Sequence, residues 1–145
     1  MAQQGLIVDA IDRDESAIRS TKRICKGLPV NIRKENMENF LITPEKYSVI
    51  FSWNSLPFLH QEIARAMFKK IKLGLKVNGL FVFQVFGPED GWSRHEGMAF
   101  FTKEEIVKMF EDTQSLELSE RKEIGELAAG GEKFWHFIRG IVKKI

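Results

Sequence analysis

The run Leu6-Ile7-Val8-Asp9-Ala10-Ile11-Asp12-Arg13-Asp14-Glu15 decides the fold. Its first six residues are almost continuously apolar, the pattern of a strand covered on both faces. The charged quartet Asp12 to Glu15 then opens a helix in which Ala17, Ile18, Thr21, Ile24 and Cys25 follow the 3.6-residue period. Gly27 and Pro29 stop that helix, and Val30 to Arg33 is a second short strand. A strand that feeds a helix and then another strand is the unit of a parallel sheet with a right-handed crossover.

Working outward, the chain repeats the unit. Tyr47-Ser48-Val49-Ile50-Phe51-Ser52-Trp53 has the most buried-looking strand pattern of the sequence. A helix follows with its stripe at Ile63, Met67, Ile71 and Leu75, and Asn78-Gly79 is expected to turn sharply into the strand Leu80 to Phe86. A loop of about fifteen residues, Gly87 to Phe101, is long enough to suggest a functional segment. Thr102-Lys103-Glu104-Glu105 is a capping box, with Phe101 and Ile106 placed as its hydrophobic staple. Leu116 to Arg121 and Lys133 to Val142 read as two strands around a glycine-rich connection at Gly125 to Gly131, an antiparallel pair at one sheet edge.

Composition narrows the classes. A chain of 145 residues suits one domain, and 43% hydrophobic with 29% charged residues is the balance of a globular protein. Twenty-two basic against 20 acidic side chains leave a net charge of +2, so no strong field favours nucleic acid or anionic lipid. The longest apolar run, around Leu80 to Phe86, falls far short of the roughly 20 residues that span a bilayer. Cys25, the one cysteine, excludes an internal disulfide, and with no signal-peptide pattern at Met1 to Gly5 the expected home is the reducing cytoplasm. Three scattered histidines and one cysteine do not have metal-ligand spacing, so no metal site is expected.

Alternating strands and helices that end in a strand pair resemble the class I S-adenosylmethionine-dependent methyltransferases, from the family's second strand to its seventh. The match covers about residues 5 to 143. Val8-Asp9-Ala10-Ile11-Asp12 is similar to the family's second strand, and Tyr47 to Ser52 to its fourth. Leu75-Lys76-Val77-Asn78-Gly79 is similar to its Leu-Lys-Pro-Gly-Gly turn, with two substitutions. Trp92 and Trp135-His136 resemble the Trp-containing loop and last strand of small bacterial members near the tellurite-resistance type. The resemblance implies an α/β, Rossmann-like three-layer sandwich: a mostly parallel sheet with an antiparallel C-terminal strand pair, in one incomplete domain over residues 1–145. Met1 to Gly5 is similar to the end of the helix that follows the family's glycine-rich loop. The chain is therefore expected to be N-terminally truncated, lacking the first strand and that loop, and to self-associate to compensate.

The same resemblance implies a site for S-adenosylmethionine and a small-molecule acceptor. Asp12, at the carboxyl end of a parallel strand, is expected to hold the ribose hydroxyls. The competing role is N-cap of the following helix, which Asp14 can fill equally well. Arg13 is either a cover for the adenine face or a solvated arginine. Asn36 and Met37 are expected at the adenine edge, and Ser52 and Trp53 at the methionine part or the acceptor. In the loop, His95 is the candidate general base for an acceptor that starts protonated; Trp92 and His136 are candidate substrate contacts. Asn54-Ser55-Leu56-Pro57-Phe58 is similar to the Asn-Pro-Pro-aromatic motif of amino-methylating enzymes, interrupted at Ser55-Leu56. Two other readings compete: a non-catalytic remnant or association module that binds no cofactor, and a nicotinamide-dependent oxidoreductase fragment, against which the terminal strand pair argues.

Overall fold

In the computed structural model, which describes the backbone of residues 1–145 and every side chain but that of Ser115, the chain forms two compact units, Met1–Leu41 and Ile42–Ile145. The first is a parallel pair, β1 (Val8–Asp12) and β2 (Val30–Lys34), joined through α1 (Glu15–Ile24). Strand β1 starts two residues later and ends one later than the apolar run suggests, so that Asp12 is its last residue. Asp14 is the N-cap of α1: its carboxylate accepts from the Ala17 amide at 2.8 Å and from the Ser16 hydroxyl. Ile18, 4% exposed, is the buried point of the helix. Lys34 at the end of β2 reaches Glu15 of α1 at 2.8 Å, and the contact pulls the Glu15 carboxyl below its ordinary value and lifts the Lys34 ammonium.

The second unit is a four-stranded sheet in the order β3-β4-β6-β5. Its strands are β3 (Tyr47–Trp53), β4 (Leu75–Phe86), β5 (Ser115–Glu126) and β6 (Glu132–Lys143), with α2 (Gln61–Gly74) between β3 and β4 and α3 (Lys103–Met109) before β5. β3 and β4 are parallel; β6 runs antiparallel to both β4 and β5, with β5 at the edge. The α/β class with a terminal antiparallel pair is thus as expected, but the strands fall into two sheets. The hairpin is longer than its apolar content suggests, because backbone pairing continues from Glu126 opposite Glu132.

Asn78-Gly79 does not start β4. The strand begins at Leu75, opposite Tyr47, and the next pair is Val49 with Leu80, so the Asn-Gly step is absorbed as an irregularity within β4. Asn78 takes a left-handed φ of 61° there, a conformation asparagine tolerates better than most residues. The capping box forms in full, with Glu105 N–H donating to Thr102 Oγ1 at 3.1 Å and Thr102 N–H to Glu105 Oε2 at 2.9 Å.

Alternation along the strands sends Phe81, Phe83 and Val85 to one face, where α2 and α3 lie. Phe68 of α2 is 2% exposed, and its ring meets those of Phe81, Phe83, Phe101 and Phe110 edge-on at 5.2–6.0 Å between centroids. Gly140 is demanded by this packing, since a Cβ there would fall 2.2 Å from the Phe83 ring. On the opposite face Phe51 remains 58% and Trp53 41% exposed. That corrects the expectation of β3 as the most buried strand: only one of its faces is covered by helices. Phe68→Ala should therefore cost about 3–5 kcal/mol in urea unfolding; a loss below about 1 kcal/mol would show that the aromatic cluster is not the core of this unit.

Candidate functional site

In the first unit, parallel pairing puts Asp12 opposite Lys34, and the Glu35 amide donates to the Asp12 carbonyl at 3.0 Å. The carboxyl end of β1 and the start of the segment after β2 are therefore held together, bringing Asp12 and Asn36 to the same end of the pair. Asp12 is exposed and is not the helix cap. Its Oδ1 accepts from the Asp14 amide at 2.8 Å, which fixes the rotamer and leaves Oδ2 without a partner among the described residues. Asn36 precedes the short 3-10 turn Met37–Asn39 and makes no side-chain capping bond. Met37 is half-buried, while Arg13 is exposed and unpaired among the described residues.

These groups fit the adenosine end of S-adenosylmethionine by their chemistry. A fixed carboxylate with an open oxygen accepts from ribose hydroxyls, and a primary amide supplies both donor and acceptor to an adenine edge.

In the second unit the carboxyl ends of β3 and β4 carry the other candidates. Ser52 and Trp53 are consecutive strand residues and point to opposite faces, so they do not share one surface. Ser52 is 7% exposed and its Oγ has no hydrogen-bond partner among the described residues, whereas Trp53 lies on the open face, its ring stacked on Phe51 at 5.7 Å. Beyond Trp53, Asn54 adopts a left-handed φ of 54° and its Oδ1 accepts from Gln84 Nε2 at 2.5 Å. Gln84, 2% exposed, in turn accepts from Arg139 Nε at 2.6 Å. Sequence reasoning missed this relay; the one signal available was an asparagine, tolerant of left-handed backbone, directly after a strand.

The loop between β4 and α3 is packed onto β6. Asp90, 1% exposed, accepts from the Trp92 amide at 3.0 Å and the His136 amide at 3.1 Å, and its Oδ1 lies 2.5 Å from Nζ of Lys133. That ammonium sits over the Trp135, Trp92 and Phe86 rings at 3.5, 4.3 and 5.0 Å. Burial pushes the Lys133 ammonium below its ordinary 10.5, against the pull of Asp90. Nothing in the sequence pairs Asp90 with Lys133, which lie far apart in the chain.

Trp92 is half-buried, its ring between Trp135 at 5.4 Å and His95 at 6.5 Å. His95 is exposed and makes no side-chain hydrogen bond among the described residues. His136 is 1% exposed and engaged at both nitrogens: Nδ1 accepts from the Glu89 amide at 3.2 Å, so the proton is on Nε2, 2.6 Å from Glu120. Gly87 makes room for that ring, since a Cβ there would lie 2.3 Å from it. The structure thus brings Trp92 and His95 together and places His136 in the framework behind them. Among the described residues no cluster has the makings of a metal site, and no helix is long and apolar enough to cross a membrane.

Lys133→Met should leave Asp90 buried without its cation and cost about 3 kcal/mol at neutral pH. The unfolded chain holds the lysine proton more tightly than the folded one, so wild-type stability should rise relative to the variant as pH climbs toward the ordinary lysine value. Urea titrations at several pH values test this, and a gap that narrows with pH would contradict the burial of a charged lysine.

No family model matches the chain, and no curated protein matches it. Solved structures do. TehB from Haemophilus influenzae superimposes with a TM-score of 0.73 at 19% identity, over 99% of this chain and 52% of that one. An S-adenosylmethionine-dependent methyltransferase from Methanosarcina mazei gives 0.68 at 19% identity, over 99% and 84%. The N-methyltransferase NodS from Bradyrhizobium japonicum, in complex with S-adenosylhomocysteine, gives 0.69 at 18% identity, over 94% and 65%. This chain spans about half the length of TehB. Across nearly all of its residues, its fold is that of S-adenosylmethionine-dependent methyltransferases.

Proposed function

We propose that this chain is a methyltransferase domain that takes S-adenosylmethionine and acts on a small-molecule acceptor in the cytoplasm. The observation that carries the reading is Asp12, whose free Oδ2 stands at the carboxyl tip of a parallel strand beside Asn36. In sheets of this kind ligands bind outside the carboxyl ends of the strands. Asp12 accepts from the ribose hydroxyls, Asn36 with the Met37 backbone reads the adenine edge, and Arg13 covers the ring. At the end of β3 only one of Ser52 and Trp53 can face the methionine part or the acceptor, because the two point to opposite faces.

Bound S-adenosylmethionine supplies an electrophilic methyl group whose leaving group departs neutral, so positioning and exclusion of water carry much of the rate. Trp92 offers an apolar wall to the acceptor. His95, exposed and free of internal hydrogen bonds, takes a proton from an acceptor that arrives protonated. His136 supports the loop from behind rather than touching the acceptor. Self-association belongs to the same reading: β1 and β3 each have one unpaired edge among the described residues, open to pairing with a second copy of the chain.

Calorimetry of the full chain with S-adenosylhomocysteine should show binding, and Asp12→Ala should weaken it about 10- to 100-fold, the worth of one charged hydrogen bond or two. NADH should give no heat. Silence at millimolar S-adenosylhomocysteine would favour the non-catalytic remnant, and tighter binding of NADH the oxidoreductase.

A further inference from the structure

The hydrogen bonds that join Arg139, Gln84 and Asn54 have a direction. A guanidinium can only donate, so Arg139 Nε, 2.6 Å from Gln84, fixes the near atom of that side chain as Oε1. The planar amide then turns Nε2 the other way, where it donates to Asn54 at 2.5 Å. Gln84 is 2% exposed, so a rotated amide would set donor against donor at Arg139 with no water to repair the loss. The atom of Asn54 that meets Gln84 is therefore Oδ1, and the Asn54 orientation follows from the network rather than from choice. Its Nδ2 carries two N–H groups away from Gln84. Among the described residues nothing accepts from them, and Nδ2 is not sealed off from solvent.

The place of these donors is defined by the strands. Asn54 directly follows β3, held at a left-handed φ of 54°, so its side chain belongs to the carboxyl end of the parallel pair. Trp53 before it and Phe58 after it are each 41% exposed. The Phe58 ring meets Phe86 at 6.0 Å and Trp92 at 6.3 Å. Phe86 lies two residues beyond Gln84, on the same face of β4. A fixed pair of donors thus stands at a corner whose walls are aromatic.

We infer that Asn54 is a specificity-determining residue for the acceptor: it donates to a carbonyl or carboxylate oxygen of that molecule and turns an ammonium away. An ammonium has only donors and would meet the Asn54 N–H groups head-on. The Arg139 cation at the far end of the relay polarises both amides in the same sense, strengthening the outer donors. The amino-methylating motif that Asn54 to Phe58 resembles would call for an amine here, and the relay points the other way. The inference rests on the methyltransferase reading only in taking the bound molecule to be the methyl acceptor.

Heteronuclear NMR of the Asn54 side-chain amide tests it in the full chain without any methyl donor. Three probes are titrated: benzoate, the neutral acceptor N,N-dimethylbenzamide, and benzylamine as the cationic donor. In the wild type both acceptors should shift the Asn54 signals saturably in the millimolar range, and benzylamine should leave them in place. Gln84→Glu keeps an acceptor for Arg139 but offers Asn54 only oxygen, so the Asn54 amide should turn over. Both acceptors should then bind about tenfold more weakly, the worth of one hydrogen bond, and benzylamine should begin to bind. Far-UV circular dichroism checks folding. If Gln84→Glu is unfolded, Asn54→Asp takes its place, since aspartate also tolerates the left-handed backbone. It should show the same exchange of probes, read at the Ser55 backbone amide. Acceptors that leave wild-type Asn54 unmoved, or benzylamine that shifts it equally, would overturn the inference. So would a folded variant that loses benzoate and keeps N,N-dimethylbenzamide, because that is an effect of charge alone. None of these outcomes depends on S-adenosylhomocysteine, whose binding is judged separately through Asp12.

Discussion

Parallel pairing is the constraint on which the rest depends. Two parallel neighbours cannot be joined by a tight turn, so each pair here is connected through a segment containing a helix, α1 between β1 and β2 and α2 between β3 and β4. Within each unit, that connection delivers the carboxyl ends of both strands to one end, together with the residues that follow them. In the first unit these are Asp12 and Asn36; in the second they are Asn54, Phe58 and the loop that bears Trp92 and His95. The candidate chemistry is therefore a consequence of strand direction.

Much of this was legible in the sequence because local patterns and tertiary structure agree. Tyr47–Trp53 is a strand with the bounds its apolar run gives, and Thr102 with Glu105 forms the box that its spacing predicts. Asp14 takes the cap and leaves Asp12 one free oxygen, the arrangement that two closely spaced aspartates made available. Asn78-Gly79 misled, because an Asn-Gly step marks a left-handed backbone conformation and does not say whether a turn or a strand irregularity will use it.

What escaped the sequence is set by contacts between distant residues. The Asp90 carboxylate gathers the Trp92 amide, the His136 amide and the Lys133 ammonium, and so turns a long polar loop into a packed layer over β6. The Asn54-Gln84-Arg139 relay joins the residue after β3 to β4 and β6 and exists only once the strand register is fixed. Burial on one face of β3 was equally invisible. Val49, Ile50, Phe51 and Trp53 report apolarity on both sides of the strand, and periodicity cannot say what covers the second side.

The central claim is that the carboxyl ends of β1 and β2 form the adenosine site. Backbone amide NMR shifts of the full chain during titration with S-adenosylhomocysteine test it most directly, since they report place as well as binding. Saturable shifts concentrated at Asp12, Arg13, Asn36 and Met37 are the predicted result. Shifts confined to a remote segment such as the Leu127 to Gly131 hairpin loop, or none at saturating ligand, would contradict the account.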